Sequence, residues 1–183
     1  LNSDRDLYDV PIDEACQVPG DLLRQLDHPA LPQLSRLSVE SASLVERLGS
    51  APPAIPRRFV EQARALLSGL VTDDAIDSRM VHTDLHYRNV LAAHRQPWLA
   101  IDPKPLAADP AYAVTPALWN RWEEAVSKGD LRRHLRRRLA IICEHAGLDE
   151  ARALSWSIVL VVQNPLWAVE DHYAVSLTTA LRI

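Results

Sequence analysis

The amino-acid sequence predicts a mainly α fold with a small β-hairpin, on three observations. Apolar residues recur at helical spacing along most of the chain, most regularly at Phe59, Ala63, Leu66, Leu67 and Leu70. The short apolar runs Val90-Leu91-Ala92-Ala93 and Trp98-Leu99-Ala100-Ile101 flank His94-Arg95-Gln96-Pro97, a polar turn-forming segment, and so read as a hairpin. No strand-rich region precedes that hairpin.

Composition bounds the rest. The 183 residues suffice for one domain with a substantial core. With 48% hydrophobic and 24% charged residues the chain has the balance of a globular protein rather than a disordered one. A net charge of −4 argues against a general nucleic-acid binder. Cys16 and Cys143 form no metal or disulfide motif, which suits reduced thiols in the cytosol. No basic segment followed by an apolar one opens the chain, and the longest apolar run, Ile158 to Val162, is too short for a bilayer. The expectation is a soluble cytoplasmic protein without nucleic-acid or membrane partners.

Taken in order, residues 1–30 read as an approach segment. A short helix is expected over about 12–28, broken or bent near Pro19-Gly20, with Pro29 and Pro32 ending it. Residues 31–80 read as scaffold helices. Leu34, Leu37, Leu44, Val45 and Leu48 predict one over 33–48, the proline-rich 51–56 is a stiff connector, and a stronger helix covers 57–70. Met80-Val81 predicts a short strand delivering His82. Residues 81–112 hold the hairpin and its polar flanks, with 107–112 read as loop.

Residues 113–183 read as C-terminal helices. Thr115 as cap and Pro116 at the first helical position begin one that carries Trp119 and Trp122 a turn apart. Asp130 opens the next, with Leu131, Leu135, Leu139, Ile142 and Cys143 apolar and Gly147 as its stop. Its basic residues Arg132, Arg133, His134, Arg136, Arg137 and Arg138 read as a solvated face. Asp149 caps a third, apolar from Leu154 to Val162, that kinks or restarts at Pro165. Tyr173 to Ile183 reads as a last helix. Trp119, Trp122, Trp156 and Trp167 read as core.

The chemistry concentrates in His82-Thr83-Asp84-Leu85-His86-Tyr87-Arg88-Asn89 and in Asp102. Asn89 precedes the first hairpin strand and Asp102 follows the second, so both lie at one open end. Paired strands run only about 4.8 Å apart, so an amide oxygen and a carboxylate there can converge on one cation. Asp84, in the loop leading in, faces the same point. Oxygen donors of this kind suit Mg²⁺. Phosphoryl transfer needs positioning, metal neutralisation and one group to take the hydroxyl proton. Asp84 fits the last role, and Asn89 and Asp102 the metal role. His82 reads as structural support. Lys104 reads either as a phosphate contact or as a solvated lysine. Two other readings stand: a hydrolase with a metal triad of His82, Asp84 and His86, which leaves Asn89 and Asp102 unexplained, and a non-catalytic binding protein.

The order of these groups is that of the protein-kinase catalytic loop and the metal-binding aspartate after it. Thr83 replaces the usual arginine, and Asp102-Pro103-Lys104 replaces Asp-Phe-Gly. Both changes point towards kinases of small molecules.

The run from His82 to Leu91 resembles the His-Gly-Asp-Leu-His-x-x-Asn motif of aminoglycoside phosphotransferases and choline-kinase-like enzymes. Pro97 to Pro105 and Leu118-Trp119-Asn120-Arg121 are similar to the branch containing streptomycin 6-kinase and hydroxyurea phosphotransferase. The likeness covers roughly residues 15–175. It implies the helical C-terminal lobe of a protein-kinase-like fold, with ATP and Mg²⁺ as cofactors, Asp84 as base, and Asn89 and Asp102 as metal ligands. It also implies a small-molecule hydroxyl acceptor, with aminoglycosides such as streptomycin as candidates. A cationic acceptor calls for carboxylates. Glu170 and Asp171 are the candidates, and Glu123 and Glu124 compete with them. Tyr112-Ala113-Val114 lacks an aspartate usual in the family, so one hydrogen bond supporting the catalytic loop is expected to be missing. The nucleotide-binding N-terminal lobe is not in this sequence. The resemblance therefore implies a fragment that binds ATP poorly by itself.

Overall fold

The structure, a computed structural model, describes residues 6–94 and 96–170, with side chains as far as residue 163. A short 3-10 turn, Leu7–Asp9, opens it, with the Asp6 carboxylate accepting the Tyr8 N–H at 2.7 Å. Helix α1 (Ile12–Gln25) then runs unbroken through Pro19. This corrects both the expected break and the expected end at 28. Proline removes one helical hydrogen bond, but α1 lies along helix α6 (Leu131–Ala146), and that packing outweighs the local signal. The two approach so closely at Gly20 that a β-carbon there would meet His145 Cβ at 2.6 Å and the Ile142 carbonyl oxygen at 2.7 Å. Strand β1 (His28–Pro29) follows in place of the helix's expected last turn.

Helix α2 (Leu37–Gly49) starts later than the predicted 33. A turn closed by the Leu34 N–H on the Leu31 carbonyl comes first, and Ser35 and Arg36 then meet the sheet, where the Ala107 N–H donates to the Ser35 carbonyl at 2.8 Å. Ser38 fixes the helix start through Asp77, which accepts its N–H at 2.9 Å and its hydroxyl at 2.6 Å. Helix α3 (Arg57–Leu70) has its predicted extent and buries Val60, Ala63, Leu67 and Leu70, with Phe59 and Leu66 partly covered.

Two antiparallel sheets carry the middle of the chain. The larger is ordered β1-β2-β5, with β2 at Arg79–His82 and β5 at Pro105–Ala108. Its register sets Val81 opposite Leu106 and His82 opposite Pro105. Strand β5 occupies residues expected to be loop, because alanines carry little strand signal. Proline is tolerated there as the first residue of an edge strand. The smaller sheet is the expected hairpin, β3 (Val90–Ala92) with β4 (Trp98–Ala100), and pairs Val90 with Ala100.

A 3-10 stretch, Pro110–Val114, leads into α4 (Thr115–Leu118), which lasts a single turn. The chain breaks at Arg121, whose φ of 53° is left-handed, and resumes as α5 (Trp122–Ser127). Arg138 of α6 holds this break. Its guanidinium donates to the Asn120 carbonyl at 2.6 Å and the Arg121 carbonyl at 3.3 Å. Arg138 is thus buried, 4% exposed, and does not belong to the solvated face assigned to it from sequence. Helix α6 is capped by Asp130 and ended by left-handed Gly147.

Helix α7 (Glu150–Glu170) continues past Pro165 without restarting. The last expected helix, residues 173–183, lies outside the described residues. The core lies where α7 meets α3, α6 and the 3-10 stretch, centred on Trp156. Asp109 ties it together by accepting the Trp156 indole N–H at 2.7 Å and the Ala111 N–H at 3.0 Å and by pairing with Arg152. Among the described residues no helix is long and apolar enough to cross a membrane.

Candidate active site

Strand β2 ends at His82, which begins the polar loop and is 4% exposed. Both its ring nitrogens are used on backbone. Nδ1 accepts the Asp84 N–H at 3.2 Å, which leaves Nε2 to donate to the Ile101 carbonyl at 3.1 Å. The imidazole therefore joins the loop before the hairpin to the strand end after it. Thr83 adds a second tie, donating its N–H at 3.1 Å and its hydroxyl at 3.0 Å to the Lys104 carbonyl. These bonds bring Asp84 beside residues 102–104.

Asn89 closes the loop from its other end. Its side-chain nitrogen donates to the Asp84 carbonyl at 2.9 Å, which leaves Oδ1 as the end of the amide available to a cation. Its own carbonyl accepts the Ile101 N–H at 2.9 Å, directly before Asp102. Asp102 is solvent-exposed with a φ of 49°, a left-handed conformation that aspartate tolerates better than most residues. The hairpin thus sets the Asn89 carboxamide and the Asp102 carboxylate at one end.

Lys104 forms an ion pair with Asp84 Oδ2. That hydrogen bond, with the charges of Asp84 and Asp102, holds its ammonium above the usual lysine value. Asp84 Oδ1 lies 3.7 Å from His86 Nε2. The sequence leaves Lys104 open between phosphate and solvent, and here it is solvent-exposed and paired with the Asp84 carboxylate. Among the described residues no three His, Cys, Asp or Glu side chains are grouped to hold a metal ion. With both nitrogens of His82 spent on backbone, the His82, Asp84, His86 triad does not form.

The loop also has a buried support that its local sequence does not display. Asn120, 6% exposed, accepts the Tyr87 backbone N–H at 3.1 Å and the Tyr8 hydroxyl at 3.3 Å through Oδ1. Its Nδ2 donates to the Pro116 carbonyl at 3.0 Å and the Ala117 carbonyl at 3.1 Å. Where the sequence led us to expect a missing bond at Tyr112-Ala113-Val114, Asn120 supplies support from the end of α4. Tyr87 itself is buried, its ring edge-on to Tyr8 and its hydroxyl 3.5 Å from Cys16 Sγ. Burial drives its phenol well above the usual value.

Asp84 opens onto a cleft of about 690 Å³, with Glu40, Tyr112 and Trp119 among its other walls. Trp119 and Trp122 are half-buried and stack with centroids 5.9 Å apart, so they line cavities rather than fill the core as expected. Glu124 is committed to Arg121 and Lys128, and neither it nor exposed Glu123 lines this cleft. The side chain of Glu170, the whole of Asp171 and the side chain of Trp167 lie outside the described part. Glu40 and Asn120 are the site residues that sequence reasoning missed. Asn120 stood within a noted motif, whereas Glu40 carried no local signal.

A family model described as aminoglycoside/hydroxyurea antibiotic resistance kinase matches residues 5–172. The chain belongs to this family. Among known members of this kinase family, it is 39% identical to a streptomycin 6-kinase of Streptomyces glaucescens, matching 100% of this chain and 62% of that protein. It is 40% identical to a streptomycin 6-kinase of Streptomyces griseus, over 87% of this chain and 53% of the relative. A hydroxyurea phosphotransferase of Kitasatospora aureofaciens is 39% identical over 71% of this chain and 35% of its own length. The chain thus spans about half to three-fifths of the two streptomycin kinases it matches.

Proposed function

We propose that these residues are the catalytic lobe of a kinase that transfers the ATP γ-phosphoryl group to a hydroxyl of a small molecule, an aminoglycoside of the streptomycin type. The observation that carries this reading is the hydrogen bond by which Asn89 holds the Asp84 carbonyl at the hairpin end that Asp102 follows, with Asp84 lining an open cleft. Membership of a family with streptomycin kinases supports the acceptor class.

Asp84 would accept the proton of the attacking hydroxyl, a role typically worth about 10²–10⁴ in rate. Its carboxylate is aimed by His82 and Asn89, which hold its backbone N–H and carbonyl. Lys104 sits on Oδ2, so the acceptor either approaches Oδ1 or displaces the ammonium. The donors present fit Mg²⁺: a carboxamide oxygen and one carboxylate, all oxygen, completed in such sites by substrate phosphates. Bound between Asn89 and Asp102, Mg²⁺ would neutralise charge on the phosphates. The adenine contacts and a phosphate-gripping lysine belong, in this proposal, to an N-terminal lobe beyond these 183 residues. A cytoplasmic location, where ATP is available, is part of the same proposal.

The test is a screen of ATP consumption by the complete protein against aminoglycosides and neutral polyols. Turnover confined to aminoglycosides supports the reading. Absence of Mg·ATP binding would favour a non-catalytic binding protein.

A further inference from the structure

Two carboxylates line the cleft among the described residues, Asp84 and Glu40, and the proposed chemistry uses only the first. Glu40 stands in the first turn of α2. Its carboxylate makes no hydrogen bond and no ion pair within the described residues. Lys104, the lysine of this cleft, is engaged by Asp84. Desolvation raises the Glu40 carboxyl above its usual range, opposed by the charge of Arg47 on the same helix. Its charge is felt in turn by Tyr112, whose phenol is pushed up to about 12, first by burial and then by Glu40. The cleft therefore offers an unpaired anion in company with the rings of Tyr112 and Trp119. An unpaired carboxylate beside aromatic walls is the chemistry that receives an organic cation.

We propose that Glu40 is an acceptor-specificity residue: it receives a cationic amino or guanidino group while a hydroxyl of the same molecule lies at Asp84. The inference rests on the phosphotransfer reading of that cleft. It assigns to the start of α2 the role for which Glu170 and Asp171 were the candidates from sequence.

The test is steady-state kinetics of the complete enzyme and its Glu40→Gln variant with streptomycin and Mg·ATP. A bond to a charged group makes the expected rise in KM for streptomycin about tenfold to a hundredfold. KM for ATP should hold, and the streptomycin KM of the wild type should be the more sensitive to added salt. Glu40→Asp should recover part of the loss. An unchanged streptomycin KM in Glu40→Gln, or an equal loss for ATP, would overturn the proposal. If the wild type transfers no phosphoryl group, the phosphotransfer reading fails. Calorimetric titration of streptomycin into both proteins then still decides Glu40, because equal affinity overturns its role and weakened affinity supports it.

Discussion

Tyr87 and Asn120 lie 33 residues apart and are joined by one buried hydrogen bond, in which the Tyr87 backbone N–H donates to Asn120 Oδ1 at 3.1 Å. Through it the loop carrying Asp84 and Asn89 is fixed to the end of α4, and through Arg138 to α6. Asn120→Ala leaves the Tyr87 N–H and two carbonyls without their partner. The expected loss of unfolding free energy is about 1–3 kcal/mol. Tyr8→Phe removes only the 3.3 Å bond to the same oxygen and should cost less than about 1 kcal/mol. Urea unfolding of both variants checks this, and equal effects would contradict the hub.

Gly20 and Gly69 should respond in opposite directions to alanine. At Gly20 the new β-carbon enters the contact between α1 and α6, so Gly20→Ala should destabilise by about 1–3 kcal/mol through overpacking. At Gly69, inside α3, a β-carbon would meet nothing within 4 Å among the described residues beyond its own helix backbone. Gly69→Ala should stabilise by about 0.5–1 kcal/mol through reduced chain entropy. Thermal unfolding midpoints moving the same way in both variants would contradict the described packing of α1 on α6.

The two cysteines are buried and set an alkaline limit. Burial, helped by Glu150 and Asp149, pushes the Cys143 thiol up to about 12, and burial raises Cys16 as well. Between the ordinary thiol value and that raised one, the folded chain keeps protons that the unfolded chain releases. Stability is then full below about pH 8.5 and falls as pH rises through this window. Urea midpoints measured from pH 8 to 10.5 should decline, less steeply in Cys143→Ala. A flat profile, or rapid native-state reaction of both thiols with a disulfide reagent, would contradict the burial.

What could be read from the sequence was what lies close along the chain. His82 to Asn89 form one run, and Val90 and Trp98 open apolar stretches around a polar turn, so loop and hairpin were visible together. Helix α3 was visible because its stripe is uninterrupted. Strand β5 was hidden because Ala107 and Ala108 have no strong preference and Pro105 looks like loop until its edge position is known. Pro19 gave a breaker signal that packing against α6 overrode. Arg138 reads like its neighbours Arg136 and Arg137 until the carbonyls it binds are in place. Glu40 lies far from Asp84 in sequence, and only folding brings both to one cleft.

The role given to Asp84 is the centre of this account. It is tested most directly by following the terminal phosphoryl group of labelled ATP into streptomycin with the complete protein and with Asp84→Asn. The wild type should label streptomycin in the presence of Mg²⁺. Asp84→Asn should still bind streptomycin but transfer label about 10²–10⁴ times more slowly. Equal transfer by the two proteins, or no labelled streptomycin from the wild type, would contradict it.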